Sequence, residues 1–522
     1  MTNSFGEFSK AKMFFVIGSN MTEAHPVAAT FLKNAVQNGA SLIVADPSKH
    51  KLAELADVHL GLRVGSDIAL LKGLMHVLIR ENLYDKKFVD NHTQDFDTLK
   101  SVVEAYPPER AAQITGIPAQ TIEDAARRLA AVKLVMLCYT LGITEHTCGR
   151  NNVVCVANLQ MLLGNMGVEC GGVNPLRGQN NVQGACDMGA LPNVFPGYQA
   201  VIDPKSREKF EKSWQVDHLP DKKGLMIPEM MEGLETGKVR TFYIFGENLA
   251  NTEPDITKVE KELASAEFLI CQDIFLNETT EFAHVVFPAA AWSKNDGTFT
   301  NSERRISRVR TASPPPGEAK PNWWIFREIA KRFGQEWTSD SAQAIWDNEL
   351  AYLAPAFGGI KYNRIEQDGL QWPCPTEGHP GTYFLHKKGA FTRGQGLFLP
   401  VEWTPAAEVA DADYPFVLST DRRLYHYHTR TQTGRCQGFN DLLSEETADI
   451  SPLDAQALDI EHGEYIRVAS RRGQVQVKAN VTNAMPRGMV WMAFHFRENN
   501  ANWLTNPAHG IKPKYPCFLS PG

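Results

Sequence analysis

Two stretches of the sequence, residues 13–46 and 241–273, repeat one pattern of strand, helix and strand. In the first, the apolar run MFFVI ends in Gly-Ser-Asn, an amphipathic helical segment follows, and SLIVA closes on Asp46. In the second, TFYIF ends in Gly-Glu-Asn, a charged helical segment follows, and FLICQ closes on Asp273. Continuous apolar runs of this length, separated by helical segments, are typical of buried parallel strands. The pattern therefore predicts an α/β protein with two related parallel-sheet units.

The polar residues that end the strands are spaced almost equally in the two stretches. Asn20 to Asp46 is 26 residues, Asn248 to Asp273 is 25, and a further short apolar run follows each Asp. Parallel sheets bind nucleotides beyond the carboxyl ends of their strands. Two nucleotide-binding units are one interpretation of the repeat. The general similarity of parallel α/β units is the other.

A nicotinamide dinucleotide is the first ligand to consider for such units. Its binding fingerprint, G-x-G-x-x-G between the first strand and the helix, is absent from both stretches, and GSNMTEAHP supplies a single glycine. The sequence therefore disfavours an NAD-dependent dehydrogenase.

Residues 174–192, NPLRGQNNVQGACDMGALP, form an unusually polar segment with three asparagines, two glutamines and Arg177 among glycines. Amide side chains both donate and accept hydrogen bonds, an arginine only donates, and glycine lets the backbone approach a ligand closely. We therefore expect this polar loop to surround a large ligand that is rich in hydrogen-bonding edges.

Composition excludes several other classes of protein. The formal net charge of −7 argues against a nucleic-acid partner, which requires a basic surface. No apolar run reaches the roughly 18 residues that span a membrane. The nine cysteines form no C-x-x-C pair, so we expect neither a zinc site nor an iron–sulfur cluster of ordinary spacing. Scattered thiols fit a reducing compartment, and we expect the cytoplasm.

The polar loop resembles the corresponding segment of the catalytic subunits of molybdenum- and tungsten-dependent formate dehydrogenases, in the DMSO-reductase superfamily. Further similar segments occur in the same order along the chain, namely GSNMTEAHP, LGITEHTCG, GENLANTEPD, CQDIFLNET, KNDGTFTNSERR, STDRRLYHYHTRTQTG and FHFRENNANWLT. The resemblance implies a bis(molybdopterin guanine dinucleotide) cofactor with molybdenum or tungsten. It also implies that formate is oxidised to carbon dioxide, or the reverse. The two dinucleotides would then occupy the two repeated units.

The resemblance implies a first set of cofactor-binding residues in the first unit and the polar loop. Glu23 stands where the family usually has Asp, and Glu145 where it usually has Gln. His146 would offset the charge of Glu145, or it is an ordinary structural histidine. The implied residues are Asn20, Glu23, Asp46, Asp67, Leu141, Glu145, Gln179, Asn181 and Gln183.

The resemblance implies a second set in the second unit. The segment DGTFTN at 296–301 would complete this pocket, although from the residues alone it is a hairpin with a glycine turn. Asn277 stands where Thr is common, and Asn322 where the family often has Asp. The implied residues are Gly246, Glu247, Asn248, Gln272, Asp273, Asn277, Gly297 and Asn322.

The third set lies in the C-terminal part and comprises Arg422, His426, His428 and Asn502. His426 and His428 are two residues apart, so on a strand they would share a face. That spacing also suits a pair of metal ligands. Because the sequence places no further carboxylate or cysteine beside them, we expect no metal site here.

Arg177 is the residue that we expect to bind the substrate. Formate is a carboxylate with one C–H bond, and a planar guanidinium can hold a carboxylate through two parallel hydrogen bonds. The alternative from the residues alone is a salt bridge to Asp187 within the polar loop.

Family members carry a four-cysteine iron–sulfur domain and a Cys or selenocysteine metal ligand followed by His, and this sequence has neither. We therefore expect the [4Fe-4S] cluster and the metal ligand on a missing N-terminal portion, where an export signal could also lie. An electron-transfer subunit is an expected partner, and the fragment alone is expected to be inactive. If the metal ligand is selenocysteine, its UGA codon would be read as a stop, and the sequence would then begin at the next Met. This hypothesis predicts an in-frame UGA shortly upstream of Met1. Another molybdopterin oxidoreductase and a non-catalytic cofactor-binding fragment are the alternatives.

The sequence predicts four regions. They are a first α/β unit at 1–179, a second at 180–345, a Pro- and Gly-rich connector at 346–412, and a β-rich domain at 413–522. The resemblance implies that this last domain is a six-stranded barrel.

Overall fold

The computed structural model describes residues 1–132, 134–508 and 520–521. The chain folds into two compact units, each assembled from separate stretches of sequence. The first consists of Met1–Leu176, Leu249–Glu260 and Phe384–Gly522, and the second of Arg177–Asn248 and Lys261–Tyr383. The four regions predicted from the sequence remain a prediction.

The first unit contains a five-stranded parallel sheet. Its central strand is the apolar run Met13–Ile17, and all five of its side chains are buried. Phe15 belongs to a core with the helix Asp67–Arg80, whereas Phe14 belongs to another core with the helix Pro26–Gln37. A strand covered on both faces needs apolar residues at every position, which explains the continuous run. In spatial order the strands are Val58–Leu60, Ser41–Ala45, Met13–Ile17, Val135–Tyr139 and Val173–Pro175.

The remaining helices of the first unit surround this sheet or lie in the C-terminal part. They are Met21–Ala24, Lys51–Glu54, Lys86–His92, Phe96–Glu104, Pro108–Thr115, Ala119–Ala131, Leu141–Thr144, Gly149–Leu162, Leu249–Thr252, Gln437–Leu442 and Pro452–Leu458.

The second unit contains a three-stranded parallel sheet in the order Val285–Pro288, Phe268–Asp273 and Thr241–Phe245. Gly297–Thr300 and Arg305–Val309 follow as an antiparallel hairpin, so the hairpin interpretation of 296–301 agrees with the structure. The helices of this unit are Val182–Asp187, Pro204–Trp214, Ile227–Glu235, Asn322–Arg332, Ala342–Ala344 and Ala351–Leu353, with a π-helical turn at Ile345–Leu350. The helix Ile256–Ala264 contains the boundary between the units.

The C-terminal part of the first unit is a six-stranded mixed sheet around an apolar core that includes Leu418, Val477 and Met492. Its strands, in spatial order, are Tyr465–Ala469, Gln474–Val481, Thr447–Ile450, Met489–Met492, Val417–Thr420 and Ser520–Pro521. Two parallel sheets and a C-terminal β domain confirm the fold class predicted from the sequence.

Two further findings concern the described part of the chain. None of its helices combines the length and the apolar character that crossing a bilayer requires. Its eight cysteines are all free thiols.

Candidate cofactor and substrate site

The first parallel sheet brings three of the predicted residues to one edge. Ile17 pairs with Ala45 on one side and with Tyr139 on the other, so these three strands end together. Asn20, Asp46 and Leu141 lie within three residues of these three ends. The sheet therefore assembles part of the first set at the carboxyl ends of its strands, where parallel sheets bind ligands.

Gly18 allows the turn after the first strand to pack closely against the backbone of Gly142. Its φ is +55°, and a Cβ at this position would lie 2.8 Å from the carbonyl carbon of Gly142. The turn after the first strand therefore requires glycine, because a side chain would collide with the backbone of the short helix Leu141–Thr144. The single glycine of GSNMTEAHP thus has a packing role.

A loop of the C-terminal part, residues 421–428, contacts the same edge. Asn20 Nδ2 donates a hydrogen bond to Asp421 Oδ2 over 3.4 Å, and Leu424 N donates to Glu23 Oε2 over 3.0 Å. Glu23 thus contacts the loop that carries Arg422. Asp421 was missed in the sequence analysis, because nothing in the segment STDRR distinguishes it from a surface carboxylate.

Asp67 and His146 lie close together in the first unit. Asp67 begins the helix Asp67–Arg80 and is buried. Burial raises the pKa of Asp67, and the charge of His146 acts against that shift. His146 Nε2 lies 2.7 Å from the carbonyl oxygen of Gly142, which agrees with the structural role considered for this histidine.

Two neighbouring charged residues, Arg422 and Asp421, act on the carboxyl group of Glu145. Burial raises the pKa of Glu145 to about 7, and the positive charge of Arg422 opposes this shift. The Arg422 guanidinium also lies 4.0 Å from the centre of the Phe494 ring. The positive charge of Arg422 thus acts on Glu145, while an offset by His146 stays a prediction.

The raised pKa of Glu145 predicts a pH-dependent stability. The unfolded chain releases this proton near pH 4.5 and the folded protein near pH 7. Below about pH 4.5 Glu145 therefore does not lower the free energy of unfolding. Between about pH 4.5 and pH 7 it lowers this free energy by an amount that grows with pH, and above about pH 7 the amount is constant. Glu145→Gln removes this destabilisation. We expect the variant to be more stable than the parent at about pH 8, by at most about 3 kcal/mol, and equally stable at about pH 4.5.

Thermal melting of the parent and the variant across this pH range measures the effect. Glu169→Gln is the matched control, since Glu169 is half exposed and pairs with Lys10 at the surface. A Glu145→Gln gain that did not change between pH 5 and pH 8 would contradict the assignment.

The two histidines do not share a strand face, and that part of the prediction is wrong. Residues 421–432 contain turns and no strand, and His428 has a φ of +50°. His426 Nε2 lies 2.7 Å from Leu443 O and its Nδ1 lies 3.1 Å from Thr433 Oγ1. Burial and the charge of Arg422 lower the pKa of His428 to about 3. Within the described residues, no group of three or more His, Cys, Asp or Glu side chains is arranged to hold a metal ion.

Asn502 is fully buried and joins two segments of the first unit. Its Nδ2 donates to Asn251 O over 3.1 Å and to Thr252 O over 2.9 Å, while its Oδ1 accepts from Thr505 Oγ1. These bonds fasten the C-terminal part to the helix Leu249–Thr252. A direct contact between Asn502 and the cofactor stays a prediction.

In the second unit, Gly246, Glu247 and Asn248 follow the strand Thr241–Phe245, and Asp273 ends the neighbouring strand. Gly246 has a φ of +66°, so this turn also favours glycine. Burial and the nearby Asp273 raise the pKa of Glu247. The parallel sheet thus brings these four predicted residues to one edge.

Hydrogen bonds fix the amide side chains of this second edge. Asn248 Nδ2 donates to Glu278 Oε2 over 2.6 Å, and Asn277 Nδ2 donates to Asp273 Oδ2 over 2.9 Å. Gln272 Nε2 donates to Asn322 Oδ1 over 2.8 Å. Thr279 Oγ1 donates a hydrogen bond to Asn248 Oδ1. The sequence analysis missed Glu278 and Thr279, although both lie in CQDIFLNET.

The polar loop lines a cavity of about 170 Å³ in the second unit. Arg177 N donates to Ser302 Oγ over 3.1 Å, and Thr300 N donates to Asn181 Oδ1 over 2.9 Å. The hairpin that contains Gly297 therefore anchors the loop. The lining residues are Arg177, Gly178, Gln179, Asn180, Asn181, Gln183, Thr300, Asn301 and Ser302.

Gln183 stands between Arg177 and Asp187. Arg177 Nε donates to Gln183 Oε1 over 3.2 Å, and Gln183 Nε2 donates to Asp187 Oδ1 over 2.8 Å. Tyr198 and Trp372 also donate to Asp187, over 2.9 and 2.8 Å. The Gln183 amide thus links the two charged residues, and the charge of Arg177 also acts on Asp187.

Comparison with known proteins identifies the family of the chain. Residues 1–332 match the family model described as molybdopterin oxidoreductase. The chain belongs to the molybdopterin oxidoreductase family. Residues 416–514 match a second model, a molydopterin dinucleotide binding domain, which supports a molybdopterin cofactor.

Relatives of this molybdopterin oxidoreductase include two formate dehydrogenases. The F420-dependent formate dehydrogenase subunit alpha of Methanocaldococcus jannaschii is 44% identical over 97% of this chain and 75% of its own length. Formate dehydrogenase H of Escherichia coli is 40% identical over 95% of this chain and 70% of its own length. A nitrate reductase of Synechocystis is 35% identical over 92% of this chain and 70% of its own length.

Among solved structures, acetylene hydratase from Pelobacter acetylenicus has the same fold. The TM-score is 0.77 at 20% sequence identity, over 99% of this chain and 77% of that one.

The residues of the first edge fit a dinucleotide. Ser19, between Gly18 and Asn20, is 2% exposed, and its Oγ has no hydrogen-bond partner among the described residues. A buried hydroxyl without a partner costs about 1–3 kcal/mol, which a polar ligand would recover. The carboxylates and amides around it suit the donor and acceptor edges of a guanine base.

Proposed function

We propose that this chain is a catalytic part of a formate dehydrogenase, which oxidises formate to carbon dioxide or catalyses the reverse at a bis(molybdopterin guanine dinucleotide) centre with molybdenum or tungsten. The oxidation converts HCOO⁻ into CO₂, one proton and two electrons. The cofactor would supply the two-electron redox chemistry. Two relatives that are 40% and 44% identical are formate dehydrogenases, which supports this substrate.

The observation that carries the proposal is Arg177 on a polar cavity of about 170 Å³. A carboxylate needs donors in a planar fork, and a guanidinium supplies them. Gln179 and Asn181 line the same cavity and add amide groups around the bound anion. Arg177 would bind the two oxygens of formate, so that the carbon and its hydrogen have one orientation.

We assign the two dinucleotides to the two edges described above. Asn20, Glu23, Asp46, Asp67, Leu141 and Glu145 would contact one of them, with Arg422 and His428 beside the pterin. The second edge, from Gly246 to Asn322, would contact the other. An electron-transfer subunit would accept the two electrons, and we propose the cytoplasm as the compartment.

The nitrate reductase of Synechocystis supports a second candidate, another molybdopterin oxidoreductase that reduces an oxyanion. Formate-dependent reduction of a redox dye by the complete, cofactor-loaded enzyme separates the two. We expect dye reduction with formate. Nitrate-dependent oxidation of reduced dye, together with inactivity towards formate, would favour the second candidate.

The two edges predict the nucleotide content of the complete enzyme. We expect acid hydrolysis of the cofactor to release two equivalents of GMP per chain, because each parallel sheet would bind one dinucleotide. Chromatography of the hydrolysate against a GMP standard measures this. One equivalent would show that only one of the two edges binds a dinucleotide.

A further inference from the structure

Asp187 is a buried carboxylate whose two oxygens both face donors. It is 0% exposed, Oδ1 accepts from Gln183 Nε2 and Tyr198 OH, and Oδ2 accepts from Trp372 Nε1. Gln183 is 4% exposed, and its Oε1 accepts from Arg177 Nε. These bonds connect the buried carboxylate to the guanidinium on the cavity.

We propose that Asp187 is a positioning residue that holds Arg177 for the carboxylate of the substrate by setting the orientation of the Gln183 amide. The inference rests on the proposed function, since it gives Arg177 a substrate to bind. An amide has one donor end and one acceptor end. Because the carboxylate only accepts, Gln183 must turn its NH₂ towards Asp187 and its oxygen towards Arg177 Nε.

Trp372 determines how an amide at position 187 would be oriented. The indole N–H only donates, so any residue at position 187 must present an acceptor to it. In Asp187→Asn the introduced amide would turn its oxygen to Trp372 and its NH₂ to Gln183. Gln183 would then turn its oxygen to that NH₂ and its own NH₂ to Arg177. Two donors would meet at Arg177 Nε, and the guanidinium would lose its fixed orientation.

The test uses the complete, cofactor-loaded enzyme. We expect Asp187→Asn to raise the KM for formate about tenfold, which corresponds to the loss of about one hydrogen bond at a charged group, while cofactor content is unchanged. A second readout does not depend on turnover. Labelling of Arg177 by an arginine-selective dicarbonyl, followed by mass spectrometry, should be faster in the variant, and formate should protect Arg177 less.

A compensating change distinguishes positioning from a general loss of structure. In Gln183→Glu with Asp187→Asn, one oxygen of the new carboxylate accepts from the amide at position 187 and the other from Arg177 Nε. The KM should therefore return to within about threefold of the parent value. Asp454→Asn is the matched control. Asp454 is a buried carboxylate that accepts from Ser451 and Gly488 in the first unit, and its loss should leave the KM unchanged.

The outcomes separate this inference from the proposed function. An unchanged KM and unchanged labelling in Asp187→Asn would overturn the inference, while loss of formate turnover in Arg177→Ala would still support the proposed function. Failure of the parent enzyme to oxidise formate would overturn the proposed function itself. If Asp187→Asn does not fold, Gln183→Met replaces it, because it removes the acceptor at Arg177 Nε. A normal KM in Gln183→Met would equally count against the inference.

Discussion

Arg177→Ala in the complete enzyme is expected to lower kcat/KM for formate by a factor that corresponds to about 2–5 kcal/mol, with normal cofactor content. The variant loses a charge-assisted contact to a carboxylate on a partly enclosed cavity, and the substrate loses its orientation. Steady-state kinetics with formate and a redox dye measure the effect.

Arg177→Lys separates charge from geometry. It should recover part of the loss, since an ammonium attracts the carboxylate but cannot hold it through a planar fork. Arg310→Ala, at a half-exposed position of the same unit, should leave formate kinetics unchanged. Turnover close to that of the parent in Arg177→Ala would remove this residue from the mechanism.

The largest expected effect on stability is that of Arg304→Ala. Arg304 is 2% exposed, and its guanidinium donates to the backbone carbonyls of Trp372, Thr382 and Tyr383. Removing this buried guanidinium leaves the three carbonyls without their donor. We expect the free energy of unfolding of the second unit to fall by about 3–5 kcal/mol. Hydrogen exchange of the amides in 370–383, followed by mass spectrometry, should accelerate correspondingly.

Arg310→Ala is again the matched control. Arg310 is 51% exposed and pairs with Glu366, so its loss should change stability by less than about 1 kcal/mol. Equal effects of the two substitutions would show that the buried contacts of Arg304 do not stabilise the segment.

The sequence by itself determined the two parallel sheets. The run MFFVI is apolar at every position and SLIVA at every position after Ser41, because both faces of the first sheet are covered, and this requirement is visible locally. The sequence also placed Asn20, Asp46 and Asp273 at strand ends, since those ends follow from the lengths of the runs. The polar loop was recognisable because its amide content has no place in an apolar core.

Tertiary structure alone decided which distant side chains meet. Arg422 was predicted to contact a pterin, but only folding brought its charge to Glu145. Trp372 binds an Asp187 that lies 185 residues away in the chain. His428 shows the same limit, because its two-residue spacing from His426 predicted a shared strand face, whereas the folded segment forms turns in which His428 has a left-handed backbone. Periodicity and composition report on a residue's own neighbourhood. Contacts between distant segments depend on how the whole chain packs, and no short pattern encodes them.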